Sequence, residues 1–292
     1  MKFSFLTDPK AFECNGFKIN PVSEFDGILT QFYQSMNVSN GWFYGPEEKL
    51  KKTSLENKKF EKRGPINCCS FFQINPTHKI ISETYSDDHL RFLILCYGFL
   101  QGLYLTPEGY SYLGRTAYEP GKLNGLFLMG SDYVNGMECV NRFYISSNDE
   151  QRNQMFSSIH WFLLGQGYYF DWDKFDAQYK VLDGLYKLSG IRAPNHASRP
   201  IELAIKYNIT LPHWAELDST GKKSKLSKLR NELVHEAKFG GHPIGYSFPD
   251  EDYSLEFTSF NTKLISAMLD IDTPYLAAES NDNQFWSWDI KT

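Results

Sequence analysis

The sequence predicts an α+β chain, with a mixed, partly β N-terminal part followed by an all-helical bundle. Three observations carry this. Short apolar stretches broken by Gly, Pro and Asn fill the first 146 residues; apolar residues at three-and-four spacing dominate afterwards; and a helix-start signal, Ser146-Ser147-Asn148-Asp149, stands between them. At 292 residues and 41% hydrophobic, the chain is long and apolar enough to bury a core and to divide in two. The expected division is residues 1–146, a mixed sensing or regulatory domain; 147–276, the helical bundle; and 277–292, a C-terminal tail.

In the N-terminal part, turn pairs such as Asn15-Gly16, Asn20-Pro21, Asn40-Gly41 and Asn75-Pro76 separate candidate strands near 3–7, 26–34, 67–74 and 79–84. Residues 87–105 read as a helix, because Leu90, Leu93, Ile94, Tyr97 and Leu100 share one face. Residues 106–146 return to Gly-rich turns and short apolar pieces.

The bundle starts with a helix over 149–165. Ser147 or Asn148 is its N-cap, Asp149 and Glu150 favour the positive end of the helix dipole, and Met155, Phe156, Ile159, Phe162 and Leu163 face inward. A second helix over 172–189 carries the stripe Trp172, Phe175, Tyr179, Leu182 and Tyr186 and stops at Ser189-Gly190. A short one over 198–207 turns Ile201, Ala204 and Ile205 inward. A fourth over 222–239 buries Leu226, Leu229, Leu233 and Ala237 and is ended by Gly240-Gly241. The fifth, over 252–270, carries Phe257, Phe260, Leu264 and Met268. Such helices suffice for an antiparallel bundle. In the tail, Phe285, Trp286 and Trp288 argue for docking, since exposed Trp pairs are uncommon.

Composition narrows the function classes. A formal charge of −5 excludes a non-specific nucleic-acid coater, so any RNA contact is local. Two basic runs are available: Lys49 to Lys52 continuing through Lys58, Lys59, Lys62 and Arg63, and Lys222, Lys223, Lys225, Lys228 and Arg230. The first reads as a solvated face. The five cysteines are irregularly spaced with no CxxC pair, which indicates neither a zinc site nor a disulfide framework. The N-terminus lacks a signal-peptide pattern, and the longest apolar run, Phe92 to Leu105, is too interrupted to span a bilayer. A cytoplasmic protein with no membrane partner is the expectation. No GxxxxGK loop or GxSxG elbow occurs, and no cofactor or metal is expected.

The most informative stretch is Arg230-Asn231-Glu232-Leu233-Val234-His235-Glu236. On a continuous α-helix Asn231 and His235, four apart, are neighbours, while Arg230 lies about 100° round from Asn231. Leu229 and Leu233 face the bundle, which leaves the polar trio on display. These residue types suit RNA cleavage. The 2′-OH must lose a proton to attack the adjacent phosphorus, and an imidazole titrates in the right range. A guanidinium stabilises the charge that gathers on the non-bridging oxygens. An Asn amide orients the phosphate or the imidazole.

Arg followed by a polar residue and, after a four-residue gap, His resembles the HEPN superfamily, over about residues 147–271. The resemblance implies a metal-independent endoribonuclease in which Arg230, Asn231 and His235 are catalytic and two motifs meet across a homodimer. It also implies a role in toxin–antitoxin or antiphage defence and an antitoxin or regulatory partner. Lys225, Lys228, Lys238 and His242 are the candidate RNA contacts around the motif. The competing expectation is a non-catalytic HEPN dimerisation module that binds RNA or a partner. His196 and His213, flanking the short helix, are candidates for support.

Overall fold

Strand β1 (Lys2–Ser4), strand β2 (Phe12–Cys14) and strand β3 (Phe17–Pro21) begin the chain, followed by helix α1 (Phe25–Tyr33), β4 (Val38–Ser39) and β5 (Trp42–Tyr44). Then come β6 (Phe71–Phe72), β7 (His78–Ile81), α2 (Asp87–Gln101), β8 (Thr106–Pro107), β9 (Tyr112–Leu113), β10 (Arg115–Ala117) and α3 (Asp132–Ser146). The computed structural model describes residues 1–45, 71–126, 128, 132–245 and 253–278. The basic run Lys49–Arg63, Cys68, Cys69 and the tail rings Phe285, Trp286 and Trp288 lie outside the described residues.

The main sheet is antiparallel, in the order β2-β3-β7-β1-β8, and Asn15-Gly16 forms the two-residue turn that pairs Cys14 with Phe17. A second sheet runs β10-β5-β4, and β6 pairs with β9. Together with the helices that follow, this makes an α+β fold. Expected strands near 3–7 and 79–84 exist in shorter form, and of 67–74 the described part is the strand Phe71–Phe72.

Two expectations in this half are corrected. Residues 26–34 form helix α1 rather than a strand. Phe25 and Phe32, two helical turns apart, both bury on one face, and Phe32 stacks against Phe5 and Phe43. Residues 132–146, expected as turns, form α3. Asn135, Gly136 and Asn141 are weak helix formers, so tertiary contact holds this helix. Met137 and Val140 are fully buried, and the Asn141 side chain accepts from His89 Nε2 at 2.9 Å and donates to the Asn15 carbonyl and Tyr85 hydroxyl at 3.0 Å.

The helical part continues with α4 (Asp149–Gln166), α5 (Asp171–Ser189), α6 (Arg199–Tyr207), α7 (Lys225–Asn231) and α8 (Ser254–Met268). Asn148 caps α4 in a capping box with Gln151, and Gly190, at φ 68°, ends α5. In α6 the face differs from expectation: Leu203 and Ala204 are buried, Ile201 is half-buried and Ile205 is 72% exposed. The helix is only nine residues long, and a 3-10 turn at His196–Ser198 sets its entry angle.

Helix α8 is the central element, with every residue from Phe257 to Ser266 buried. Its Thr258, Thr262 and Ser266 hydroxyls satisfy themselves by donating to carbonyls four residues back. Asn261 Nδ2 donates to the Gln178 carbonyl and side-chain oxygen of α5, both at 2.9 Å. One apolar core runs continuously from Phe3 through α2, α4, α5 and α8 to Tyr275. Among the described residues no helix is long and apolar enough to cross a membrane.

Helices α4 and α5 approach closely because small residues line their contact. A methyl group added at Gly165 would overlap Ala177, and one added at Gly184 would overlap Ser158. Gly165→Ala and Gly184→Ala are each expected to destabilise the protein by about 1–3 kcal/mol despite alanine's better helix propensity. Urea unfolding measures this, and unchanged stability would mean the helices part without strain.

Burial lowers the His78 and His89 imidazoles from 6.5 to about 4. Each ring is therefore neutral when folded but takes up a proton when unfolded below its ordinary value. Their stabilising contribution is complete above pH 6.5 and drains away as pH falls towards 4, by up to about 3 kcal/mol per ring. Unfolding free energies measured in urea at stepwise lower pH are expected to show this decline, and a flat profile over that window would contradict it.

Candidate functional site

The motif segment does not form the continuous helix over 222–239 that periodicity predicts. The Asp218 carboxylate accepts from the backbone N–H groups of Thr220, Lys222 and Lys223, which closes the preceding loop. The helix begins only at Ser224, whose hydroxyl accepts from Ser227 N–H at 3.1 Å while Ser227 Oγ accepts from Ser224 N–H at 2.9 Å. Leu226 and Leu229 anchor α7 in the core.

After Asn231 the chain widens into a π-helical turn over Glu232–Glu236, closed by Ala237 N–H bonding to the Glu232 carbonyl. Ala237 is exposed in the left-handed region at φ 51° rather than buried. Next come β11 (Lys238–Phe239) and β12 (His242–Pro243), joined by Gly240 and Gly241 at φ 59° and 84°. The Gly-Gly pair is thus a hairpin turn rather than the expected helix stop, which falls at Ala237. Two contacts fix this hairpin. Phe239 is buried against Phe175 of α5 with ring centroids 5.2 Å apart, and Glu232, itself buried, accepts from Gly241 N–H at 2.9 Å.

The π turn changes which residues meet. In an α-helix, side chains five residues apart point about 140° away from each other; the wider turn brings them back to one side. Arg230 Nη1 lies 3.2 Å from His235 Nε2 and 3.3 Å from Asn231 Oδ1. The three motif residues therefore converge on one guanidinium nitrogen within a single chain. This corrects the expectation that Asn231 and His235 are the neighbours, and convergence needs no second copy. Asn231 and His235 are exposed and Arg230 is half-buried. In this contact the guanidinium can only donate, which directs it at the Nε2 lone pair.

Within the electrostatic reach of Arg230 stands a polar group that periodicity assigned to the core stripe. Tyr179 is buried by its ring, and its hydroxyl meets His196 Nδ1 at 2.7 Å, the two ring planes being parallel within 1°. His196 Nε2 lies 3.6 Å from Asp183 Oδ1, which also accepts from Arg199 Nη1 at 2.7 Å. Burial raises the Tyr179 hydroxyl, while the positive charges of Arg230 and Arg199 pull it the other way. Burial works against the Asp183 carboxylate, yet the bonds and charges of His196 and Arg199 hold it below the usual range. Asp183 sits one helical turn after Tyr179 on α5, a spacing that flags the pair once Tyr179 is read as more than a core ring.

The other basic candidates each have neighbours of their own outside the trio. The Lys225 ammonium stands 5.7 Å over the Tyr253 ring, Lys228 Nζ is 3.8 Å from Glu232, and Lys238 Nζ is 3.2 Å from Glu236. His242 stands on β12 opposite Phe239, and His213 faces Tyr253 at 6.0 Å. The chain matches no family model, no curated protein and no solved structure.

Glu232 is the joint between the π turn and the hairpin. Glu232→Ala is expected to cost about 1–3 kcal/mol and to speed hydrogen exchange at Gly241 N–H. Unaltered exchange would show that the turn holds without it.

Proposed function

We propose that the chain is a metal-independent endoribonuclease of HEPN type, acting as a homodimer on RNA, in a toxin or antiphage setting. The observation that carries this reading is the convergence of Arg230, Asn231 and His235 on one exposed π turn. Turns of this kind recur at functional sites.

The chemistry follows from the groups. RNA phosphate draws the Arg230 guanidinium off His235 and onto its non-bridging oxygens, which frees Nε2. Nε2 then takes the 2′-OH proton as the 2′-oxygen attacks phosphorus; the bond to the 5′-oxygen breaks and a 2′,3′-cyclic phosphate is left. Asn231 orients the phosphate. The departing 5′-oxygen needs a proton, and one His235 cannot be base and acid in the same step. A second copy supplies the acid, so dimerisation serves proton transfer rather than assembly of the trio. Outside the trio, Lys225, Lys228, Lys238 and His242 guide the RNA backbone.

A second reading, a module that binds RNA without cutting it, has one specific observation in its favour: at rest the Arg230 contact occupies the His235 nitrogen that would act as base.

RNA cleavage in EDTA separates the two. The wild type is expected to produce cyclic phosphate ends, and His235→Ala and Arg230→Ala to lose about 10²-fold or more in rate. Equal rates in wild type and His235→Ala would sink the catalytic assignment. RNA binding without cleavage, lost in Arg230→Ala, would establish the module.

A further inference from the structure

Two cavities meet where α2, β8 and the first half of α4 come together, far in sequence from the motif. They share Arg91, Tyr110 and Phe156. The inner one, about 200 Å³, is walled by apolar and aromatic side chains, chiefly Leu95, Tyr104, Leu105, Phe156 and Trp161. The outer one, about 470 Å³, is polar.

The charges of the outer cavity are ordered. The first turn of α2 places Asp88 beside Arg91 at 3.2 Å, and the first turn of α4 places Asp149 beside Arg152 at 3.0 Å. Two Asp–Arg pairs therefore line one cavity, each built by the same three-residue spacing at a helix start. Arg152 is held in place, because its Nε donates to the Tyr144 carbonyl at 2.7 Å and its guanidinium lies 4.5 Å over the Tyr144 ring. Arg91 is the reverse: its Nε is shut off from water and has no hydrogen-bond partner among the described residues. Its Nη1, by contrast, reaches Asp88 at the cavity wall.

We infer that this cleft binds a free aromatic α-amino acid. The side chain fills the inner chamber, where rings meet rings. The carboxylate takes the Arg91 and Arg152 guanidinium groups, and the ammonium takes the Asp88 and Asp149 carboxylates. A zwitterion is what the balance of charge selects. A phosphate ester would face two carboxylates that cancel the arginines, and a wholly apolar ligand would cover four charged groups without offering them a partner. Pockets with an apolar body and a few convergent polar groups are the usual form of small-molecule sites. The inference stands apart from the ribonuclease reading and is read out without RNA.

The test is calorimetric titration of the full chain with L-phenylalanine and L-tryptophan. The comparison ligands are 3-phenylpropanoate, which lacks the ammonium, 2-phenylethylamine, which lacks the carboxylate, and adenosine monophosphate. Saturable binding of either amino acid is expected, with each comparison ligand weaker by about tenfold or more. Arg91→Met, which keeps the aliphatic stem, is expected to weaken amino-acid binding by a similar factor with its circular dichroism spectrum unchanged. Absence of saturable heat with both amino acids up to about 10 mM would overturn the inference. So would equal or tighter binding of 3-phenylpropanoate or adenosine monophosphate, or a folded Arg91→Met that binds like the wild type.

Discussion

The rest of the helical region depends on the close approach of α4 and α5. Gly165 against Ala177 and Ser158 against Gly184 let the two backbones come nearer than larger side chains permit. With its position fixed on one side by α4, α5 serves three neighbours from its remaining surface. Gln178 receives Asn261 of the buried helix α8, Phe175 receives Phe239 of the hairpin, and Tyr179 with Asp183 meets His196 and Arg199. The motif turn is thus positioned from α5 outward, through the packing of Phe239 on Phe175. A polar core helix such as α8 is tolerable because its hydroxyls bond locally and Asn261 donates to its neighbour.

What could be read from residues alone was what local chemistry decides. Asn148 and Gly190 bound their helices by capping and left-handed geometry, and the stripes of α4 and α5 follow from a period of 3.6. What escaped was decided by tertiary contact. Helix α3 exists because Asn141 and Met137 find partners in α2 and the first hairpin, not because its residues favour a helix. In α1 the aromatic and aliphatic content mimics a strand, and only the Phe25–Phe32 spacing distinguishes the two. Ile205 points outward because the 3-10 turn before α6 rotates that short helix.

The candidate site was legible in its members and illegible in its geometry. Residue types named Arg230, Asn231 and His235, but a uniform helical period put Arg230 on the wrong side. The departure is local: the buried carboxylate of Glu232 is drawn to Gly241, and the Gly240-Gly241 hairpin folds back at once, so the last turn opens. The Gly-Gly pair carried that hairpin signal in the sequence. Tyr179 was legible only as a ring on an apolar stripe, since nothing in the spacing says where its hydroxyl ends. His196 joins it through a loop whose path no periodicity describes. The chain's overall negative charge fits this picture, because the cationic groups here are few and individually placed.

The π turn also ties the length of the motif to its helical phase. A gap of four residues between Arg230 and His235 puts them out of phase on an α-helix, and the extra width of the turn restores the phase. A gap of six would restore it with no widening, because seven residues at about 100° each come within 20° of two full turns. Gap length and turn type are therefore interchangeable ways of meeting one angular requirement. A single-residue deletion inside 232–234 would meet the requirement in a third way, because residues four apart are neighbours on an ordinary α-helix and the turn would no longer need its extra width.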